Sequence, residues 1–97
     1  MDYQFTWDQN KAAANIITHQ GVSFDEASTV FNDPLAKIMD DEIHSAFEIR
    51  EIIIGHSINN RLLLVCFTER LPVTIRIISA RLPTRKERQD YEKNTNR

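Results

Sequence analysis

Two arginines near the last apolar segment are the residues of this sequence best suited to chemistry. Arg76 interrupts the apolar stretch at residues 73–78, and Arg81 lies five residues further on. A planar guanidinium donates paired hydrogen bonds that match the oxygens of a phosphate. Because a charge within an apolar strand needs an anion or solvent, Arg76 indicates either a phosphate ligand or an internal ion pair. The carboxylates available for an internal pair are Glu48, Glu51 and Glu69.

The two arginines meet one ligand only under a geometric condition. Positions 76 and 81 face opposite sides of an ideal strand, because side chains alternate with a period of two. Both therefore reach one ligand only if the strand ends or bends near Ser79.

Charge is divided unevenly along the chain. Residues 1–45 carry two bases against eight acids, a net charge of −6, and residues 46–97 carry ten bases against six acids, a net charge of +4. Every arginine lies after residue 45. This asymmetry favours an anionic partner such as a nucleic acid, although a solvated basic face explains it as well.

Several classes of chemistry have no support in the residues. The chain has two glycines, Gly21 and Gly55, so a glycine-rich phosphate loop is excluded. The three histidines and Cys66 lack the close spacing of zinc ligands. Cys66 lies in an apolar run, where burial raises a thiol's pKa and makes it a poor nucleophile. We therefore expect neither a metal nor another cofactor.

Local signals predict three helices. Asp8 is placed to cap a helix over residues 9–19, with an apolar stripe of Ala12, Ala13, Ile16 and Ile17 and with Gly21 beyond its end. A serine with a glutamate three residues later, Ser23 and Glu26, predicts a second short helix that stops at residues 32–34. The same pattern at Thr84 and Glu87 predicts a polar third helix through about residue 93.

Four strands are predicted between the second and third helices. They cover residues 35–39, 47–57, 61–68 and 73–80, and the turns between the last three indicate antiparallel hairpins. The nearly all-apolar segment 61–68 is expected at the centre of the sheet. The predicted fold class is α+β, with two N-terminal helices, a curled antiparallel sheet of three to four strands with helices on one face, and a C-terminal helix, in one domain over residues 1–97.

Motifs distributed over nearly the whole chain resemble the BrnT toxins. The C-terminal signature comprises RIISAR at residues 76–81, TRKER at 84–88 and Tyr91-Glu92. Matching strings precede it in the same order: FTWD at 5–8, HQGVSF at 19–24, VFNDP at 30–34, IGHS at 54–57, RLLLV at 61–65 and TER at 68–70. The resemblance implies a RelE-like fold and an endoribonuclease that inhibits translation by metal-independent attack of the RNA 2′-hydroxyl.

The resemblance gives the arginines a role and suggests further site residues. Arg76 and Arg81 are expected to hold the phosphate, Glu69 is the first candidate for general base ahead of Lys11 and His19, and Tyr91 is expected to stack on a base or orient the phosphate, although it is equally suited to packing its helix on the sheet. The expected RNA-binding residues are Lys11, His19, Arg50, Arg61, Arg70 and Arg85. For His19, a position in the last helical turn is a sufficient structural explanation.

The resemblance also implies partners. We expect RNA, a BrnA-like antitoxin in a symmetric heteromeric complex, DNA contact only through the antitoxin, no membrane association and a cytoplasmic location. Two alternatives remain on the residues alone: a non-catalytic RNA-binding module and a protein-docking module with a basic sheet face.

Overall fold

The computed structural model of the chain describes residues 3–95. The described residues form three helices and five strands in the order β1 (Gln4–Thr6), α1 (Gln9–Thr18), α2 (Phe24–Thr29), β2 (Lys37–Asp40), β3 (Glu51–His56), β4 (Leu62–Arg70), β5 (Thr74–Arg81) and α3 (Arg85–Thr95). Short 3₁₀ turns occur at Val30–Asn32 and Glu42–His44. None of the helices within residues 3–95 has the length and apolarity needed to cross a membrane.

The sheet has the strand order β1-β5-β4-β3-β2. The prediction that the apolar segment 61–68 is central is confirmed, because β4 lies between β5 and β3. The prediction of three to four antiparallel strands is wrong: β1 adds a fifth strand, and it runs parallel to β5 while the other pairs are antiparallel. β1 escaped prediction because three residues carry too short an alternation to distinguish a strand from an extended terminus.

The helices cover both faces of the sheet, which corrects the expectation that they share one face. One face, called the core face here, carries Ile53, Val65 and Ile77, which pack in one cluster with buried residues of α2. The opposite face, called the α3 face, carries Ile54 and Leu62, which pack against Tyr91 of α3. Alternation along β3 and β4 leaves apolar side chains on both faces, so each face needs a covering element.

All three predicted helix starts are confirmed by capping hydrogen bonds. Asp8 Oδ1 accepts from the Lys11 N–H at 3.0 Å, and Ser23 Oγ accepts from the Glu26 N–H at 3.0 Å. At α3, Thr84 Oγ1 accepts from the Glu87 N–H at 3.1 Å, while Glu87 Oε1 accepts from the Thr84 N–H at 2.7 Å. Such caps satisfy N–H groups that have no partner within the helix.

The predicted apolar stripe of α1 is only partly correct. Ala12 packs against the core, but Ile17 is 84% exposed and Asn15 is buried instead. The Asn15 amide donates to the carbonyls of Val22 at 2.9 Å and Ala80 at 2.8 Å, and its oxygen accepts from the Ala80 N–H at 3.2 Å. β1 ends opposite residue 76, so no strand pairs with this edge of β5 at Ala80. The Asn15 side chain supplies the backbone hydrogen bonds there instead.

A β-bulge interrupts β5. Cys66 lies opposite Ser79 and Phe67 lies opposite Ile77, which leaves Ile78 as an extra residue in β5. An extra residue reverses the alternation of the side chains that follow it. Ile77 and Ala80 consequently both face the core, three positions apart rather than two or four.

The segment of residues 41–50 replaces the first part of the strand predicted for residues 47–57. β3 begins only at Glu51, and the preceding segment crosses the α3 face above the end of β4. Thr68 Oγ1 donates to the Ile49 carbonyl at 2.8 Å, and Cys66 Sγ lies 3.5 Å from Asp41 Oδ2. The isoleucine-rich pattern indicated a strand, but Ile49 is 75% exposed and pairs with no neighbouring strand.

The Asn15 amide is expected to be a major contributor to stability. Asn15→Ala leaves the N–H and C=O of Ala80 and the Val22 carbonyl unsatisfied in a buried position, and we expect a loss of roughly 2–4 kcal/mol. Urea unfolding followed by the fluorescence of Trp7, the single tryptophan, measures this loss. Asn10→Ala, an exposed position of the same helix, is the control and should change stability by no more than about 0.5 kcal/mol. Equal midpoints for both variants would contradict the assigned role of Asn15.

Candidate active site

The α3 face collects four of the predicted arginines from separate elements. Arg76 and Arg81 belong to β5, Arg70 ends β4, and Arg50 comes from the segment that precedes β3. Ladder partners place Arg76 opposite Thr68 and Arg81 opposite Leu64, both on the α3 side of β4. Arginines that are dispersed over 32 positions of sequence thus share one side of the sheet.

The bulge at Ile78 meets the geometric condition for Arg76 and Arg81. Without the extra residue, Arg81 would follow Ile75 and Ile77 onto the core face. With it, both arginines lie on the α3 face, four residues apart as measured along β4 from Thr68 to Leu64. At about 3.3 Å per residue this separates their backbones by roughly 13 Å. The arrangement is therefore a strip along β5 rather than a single point.

Arg81 is held by a carboxylate of α3. Its Nη1 and Nη2 donate to Glu87 Oε1 at 2.8 Å and Oε2 at 3.0 Å, and Nη1 also donates to the Leu82 carbonyl at 3.1 Å. The Arg81 hydrogen bonds lower the pKa of Glu87 from its ordinary value of 4.5 to about 2, with a further contribution from the Thr84 N–H. The same pair raises the pKa of Arg81. Arg81 is thereby oriented, and three of its N–H donors are occupied.

Arg76 differs from Arg81 in having no carboxylate within ion-pair distance among residues 3–95. None of the three internal partners considered from the sequence reaches it. Arg76 is half-buried and lies between Thr68 on β4 and Thr6 on β1. The charge of Arg76 also affects the Asp8 carboxyl at longer range. The Lys11 backbone N–H is the main cause of the lowered pKa of Asp8, and the charges of Lys11 and Arg76 lower it further.

Glu48 bridges the other two arginines of the α3 face. Its Oε1 lies 3.3 Å from Arg70 Nη2, and its Oε2 lies 3.7 Å from Arg50 Nη2. Arg50 Nε is buried and has no hydrogen-bond partner among the described residues. One carboxylate between two guanidinium groups leaves this cluster with a net charge of +1, on the same face as Arg76.

Glu69, the first candidate for general base, lies on the core face, away from Arg76. It alternates with Thr68 and Arg70 along β4 and approaches Glu51 instead. Burial raises the pKa of Glu51, and a hydrogen bond to Glu69 and the charges of Glu69 and Asp40 raise it further. The two carboxylates thus lie close together, on the side of the sheet opposite the arginine strip.

Arg61 is also directed away from the α3 face. It forms a two-bond ion pair with Glu26 of α2, with Nε 3.0 Å from Oε2, and it donates to the Gln20 carbonyl at 3.3 Å. Ser57 Oγ donates to the same Glu26 oxygen at 2.7 Å. The Arg61 hydrogen bonds are the main cause of the lowered pKa of the Glu26 carboxyl. Arg61 therefore connects α2 to the turn between β3 and β4.

The remaining basic candidates lie on helices. Lys11 is exposed in the first turn of α1, whereas His19 caps the other end with its N–H on the Asn15 carbonyl. Eight residues of helix place them roughly 12 Å apart. Arg85 is exposed at the start of α3, four positions beyond Arg81. Arg85 is thus close to Arg81 along the chain, whereas Lys11 and His19 lie at opposite ends of α1.

Tyr91 and Cys66 are buried on the α3 face. Tyr91 is 5% exposed, and its ring meets the His56 ring edge-on at 5.9 Å between centroids. This position fits the packing role considered for it and leaves little of the ring available for stacking on a base.

Burial raises the pKa of Cys66 to about 11, which agrees with the expected inert thiol. Within residues 3–95, no group of three or more His, Cys, Asp and Glu side chains is arranged to hold a metal ion.

Sequence reasoning missed the partners that orient the arginines. Glu87 was identified only as a capping residue, although it lies six positions after Arg81 and so within reach across the turn into α3. Glu48 was considered only as a partner of Arg76. Only the role of Asn15 could have been detected in the sequence, because a polar residue at an inward-facing position of α1 near Ala12 indicates a buried hydrogen-bonding group.

Comparison with known proteins identifies the relatives of this chain. A family model described as "Ribonuclease toxin, BrnT, of type II toxin-antitoxin system" matches residues 7–87. A 1.1 Å crystal structure of the Brucella abortus ribonuclease toxin BrnT superposes with a TM-score of 0.66 at 21% identity, covering 87% of this chain and 100% of that one. At this identity the structural likeness establishes the fold alone. A comparison with curated proteins gives no match.

The Arg81–Glu87 pair makes a pH-dependent contribution to stability. Because the folded pKa of Glu87 lies below its unfolded value, the contribution is present above pH 4.5 and is lost as the pH falls towards about 2. With allowance for partial exposure, Glu87→Gln should cost about 1–2 kcal/mol at pH 7 and almost nothing near pH 2. Thermal unfolding at several pH values and a carboxyl NMR titration measure both effects.

The control is Glu92→Gln on the same helix, where the carboxylate is 61% exposed and lies 3.6 Å from Arg88. It should change stability by less than about 0.5 kcal/mol at every pH. A Glu87 carboxyl that titrates near 4.5 would contradict the pairing.

Proposed function

The chain belongs to the BrnT family of ribonuclease toxins of type II toxin–antitoxin systems, and from this membership we propose that it cleaves RNA on the α3 face, with the scissile phosphate held by Arg76 and Arg81. In this proposal cleavage inhibits translation and arrests growth. The activity is neutralised by an antitoxin.

One observation carries the assignment of the site to this face. The bulge at Ile78 turns Arg81 to the side that already holds Arg76, and Arg70 and Arg50 lie on the same side. Arg76 has no carboxylate within ion-pair distance among residues 3–95, so its full donor set is available for an anion. Four guanidinium groups spread over one face suit an extended phosphate backbone better than a single small anion.

The proposed chemistry is that of RelE-like nucleases and needs no metal. The 2′-hydroxyl oxygen attacks the adjacent phosphorus, the bond to the 5′-oxygen breaks, and the products carry a 2′,3′-cyclic phosphate and a 5′-hydroxyl. The protein takes the 2′-hydroxyl proton, stabilises the charge on the pentavalent phosphate and returns a proton to the leaving oxygen. Arg76 and Arg81 supply the charge stabilisation, and Glu87 orients Arg81 for it.

Among the three candidates for proton removal, the contacts favour Lys11. The pKa of the Asp8 carboxyl is lowered mainly by the backbone N–H of Lys11, and the charges of the Lys11 ammonium and of Arg76 lower it further, so both cations lie near one carboxylate. Glu69 faces the opposite side of the sheet, and His19 lies at the far end of α1. Lys11 is therefore the candidate retained for proton transfer. Arg50, Arg70 and Arg85 are proposed to bind the flanking phosphates.

The proposed partner is a BrnA-like antitoxin that forms a symmetric complex with the toxin. An unpaired toxin with this activity would damage its own cell, so a tight complex is required. DNA binding, in this proposal, belongs to the antitoxin and is absent from this chain alone.

Substitution of the strip arginines tests the phosphate role. Arg76→Ala should lower the rate of RNA cleavage by about 10²–10³ because it removes a contact made in the transition state. Its melting temperature should stay nearly unchanged, since no carboxylate is left without a partner. Arg76→Lys keeps the charge but loses the paired donors and should restore little activity. Arg81→Ala should lose activity to a similar extent, with a modest loss of stability from the unpaired Glu87.

Arg88→Ala is the matched control, because Arg88 is an exposed residue of α3 that pairs with Glu92 at 3.6 Å. It should cleave RNA at the unsubstituted rate. Full activity in Arg76→Ala, or activity lost only together with folding, would remove the assignment.

The products distinguish this function from its alternatives. A non-catalytic RNA-binding module would leave a defined RNA intact at any protein concentration. A nuclease of the proposed kind yields 5′-hydroxyl ends that a kinase labels directly, and it remains active in a chelator. Fragments with 5′-phosphate ends would contradict the proposed mechanism.

A further inference from the structure

The segment of residues 41–50 is held firmly at its two ends. The Asp41 N–H donates to the Arg50 carbonyl at 2.9 Å, which closes the base of the segment. Ser45 Oγ donates to the Asp41 carbonyl at 2.6 Å and accepts from the Arg50 N–H at 3.0 Å. The backbone of Arg50 is therefore bound through both its N–H and its C=O, and its place beside the sheet is fixed.

The tip of this segment, residues 46–48, lacks such support. None of its backbone groups forms a hydrogen bond to another part of residues 3–95. Phe47, at the centre of the tip, is 103% exposed, so a movement of the tip uncovers no apolar surface of this side chain. A segment with few hydrogen bonds and little buried apolar surface moves at low cost in free energy.

Glu48 places the carboxylate of this tip over two arginines that do not depend on it for their position. Its Oε1 lies 3.3 Å from Arg70 Nη2, and its Oε2 lies 3.7 Å from Arg50 Nη2. Arg70 belongs to β4, and Arg50 is bound at the base of the segment. A movement of the tip therefore withdraws the carboxylate and leaves the backbones of both arginines in place.

The contacts of Glu48 are longer than those of a well-formed ion pair. Charge-assisted hydrogen bonds between a guanidinium and a carboxylate measure about 2.7–2.9 Å, and both distances of Glu48 exceed this range. Arg50 Nε is buried and has no hydrogen-bond partner among the described residues. Glu87 differs, because it holds Arg81 at 2.8 and 3.0 Å and is itself fixed in the capping box of α3. Glu48 thus offsets the charge of its arginines without satisfying their donors.

A phosphodiester group can replace the Glu48 carboxylate between these arginines. Each carries one negative charge that is shared by two oxygens, and a guanidinium donates to both kinds of group in the same paired geometry. Arg50 and Arg70 are two of the residues proposed above to bind flanking phosphates of RNA. The carboxylate and the RNA backbone therefore compete for the same N–H donors.

We propose that Glu48 is an internal competitor of the RNA backbone: it pairs with Arg50 and Arg70 in the free protein and is displaced, together with the tip, when a flanking phosphate binds these arginines. The proposal rests on the RNA-cleaving function proposed above and adds a control of affinity to the same site. Glu87 positions an arginine for the reaction, whereas Glu48 restrains binding until a phosphate takes its place.

The test measures the binding of a 2′-O-methylated decauridylate to the full chain, because this RNA lacks the hydroxyl that attacks the phosphate. Glu48→Gln removes the charge and keeps the shape of the side chain. Its Kd should fall about three- to tenfold, since binding no longer has to break two partly exposed ion pairs.

Glu42→Gln is the matched control, because Glu42 is an exposed acid of the same segment that forms no ion pair within residues 3–95. It removes the same charge and should change the Kd by less than about twofold. In an Arg70→Gln background, which removes the closer partner of Glu48, the gain from Glu48→Gln should also fall below about twofold. If Glu48→Gln does not fold, Glu48→Asp takes its place: it keeps the charge, shortens the reach by one methylene and should also tighten binding.

Three results would overturn the proposal. An unchanged or weaker affinity in Glu48→Gln, with or without a lower melting temperature, would leave Glu48 with a structural role only. Equal gains in Glu48→Gln and Glu42→Gln, or a gain that persists in the Arg70→Gln background, would reduce the effect to net charge. Absence of RNA binding by every variant would also reject it. Cleavage of unmodified decauridylate is measured separately, so tighter binding without cleavage would contradict the nuclease function and support the role of Glu48.

Discussion

The contact between the Asn15 amide and the backbone of Ala80 is the interaction on which the geometry of the candidate site depends. β1 pairs with β5 only as far as residue 76, so the last part of β5 is an edge. A slip of one residue exchanges the faces of every following side chain, and the ladder to β4 opposes such a slip from one side of β5 only. By bonding both polar groups of Ala80, Asn15 holds the residue on the core side and so holds Arg81 on the α3 face.

Arg81 and Arg76 lie in different electrostatic environments. Arg81 is fixed by a two-bond pair with Glu87, whose own position is set because it closes the capping box of α3. Arg76 has no such carboxylate partner among the described residues and lies between two threonines. A guanidinium that is held in place loses little conformational freedom when it binds an anion, but it must share its donors. A strip with one oriented and one unpaired arginine combines positioning with available donors.

The features that sequence predicted are those that depend on neighbours along the chain. Asp8, Ser23 and Thr84 cap their helices because the cap and the N–H that it accepts are three residues apart. The central position of β4 followed from its apolar run. The bulge, the parallel β1 and the location of α3 on the second face depend on pairing between distant segments, and no local pattern encodes them. For the site, the sequence identified Arg76 and Arg81 and the bend in β5 that they need. It also placed Glu69 beside them, although nothing in the sequence showed on which face of the sheet Glu69 lies.

The fold brings carboxylates and arginines of distant segments together on the α3 face. The order β1-β5-β4-β3-β2 sets β2 and β5 three strands apart, roughly 14 Å at a strand spacing of about 4.8 Å. The segment that follows β2 nevertheless crosses the α3 face, where Glu48 Oε1 lies 3.3 Å from Arg70 Nη2 and Oε2 lies 3.7 Å from Arg50 Nη2. Glu87 of α3 pairs with Arg81 in the same way. Pairing of this kind is short-range and weakly screened by salt, so three of the four arginines are partly compensated and Arg76 keeps an unpaired charge on this face.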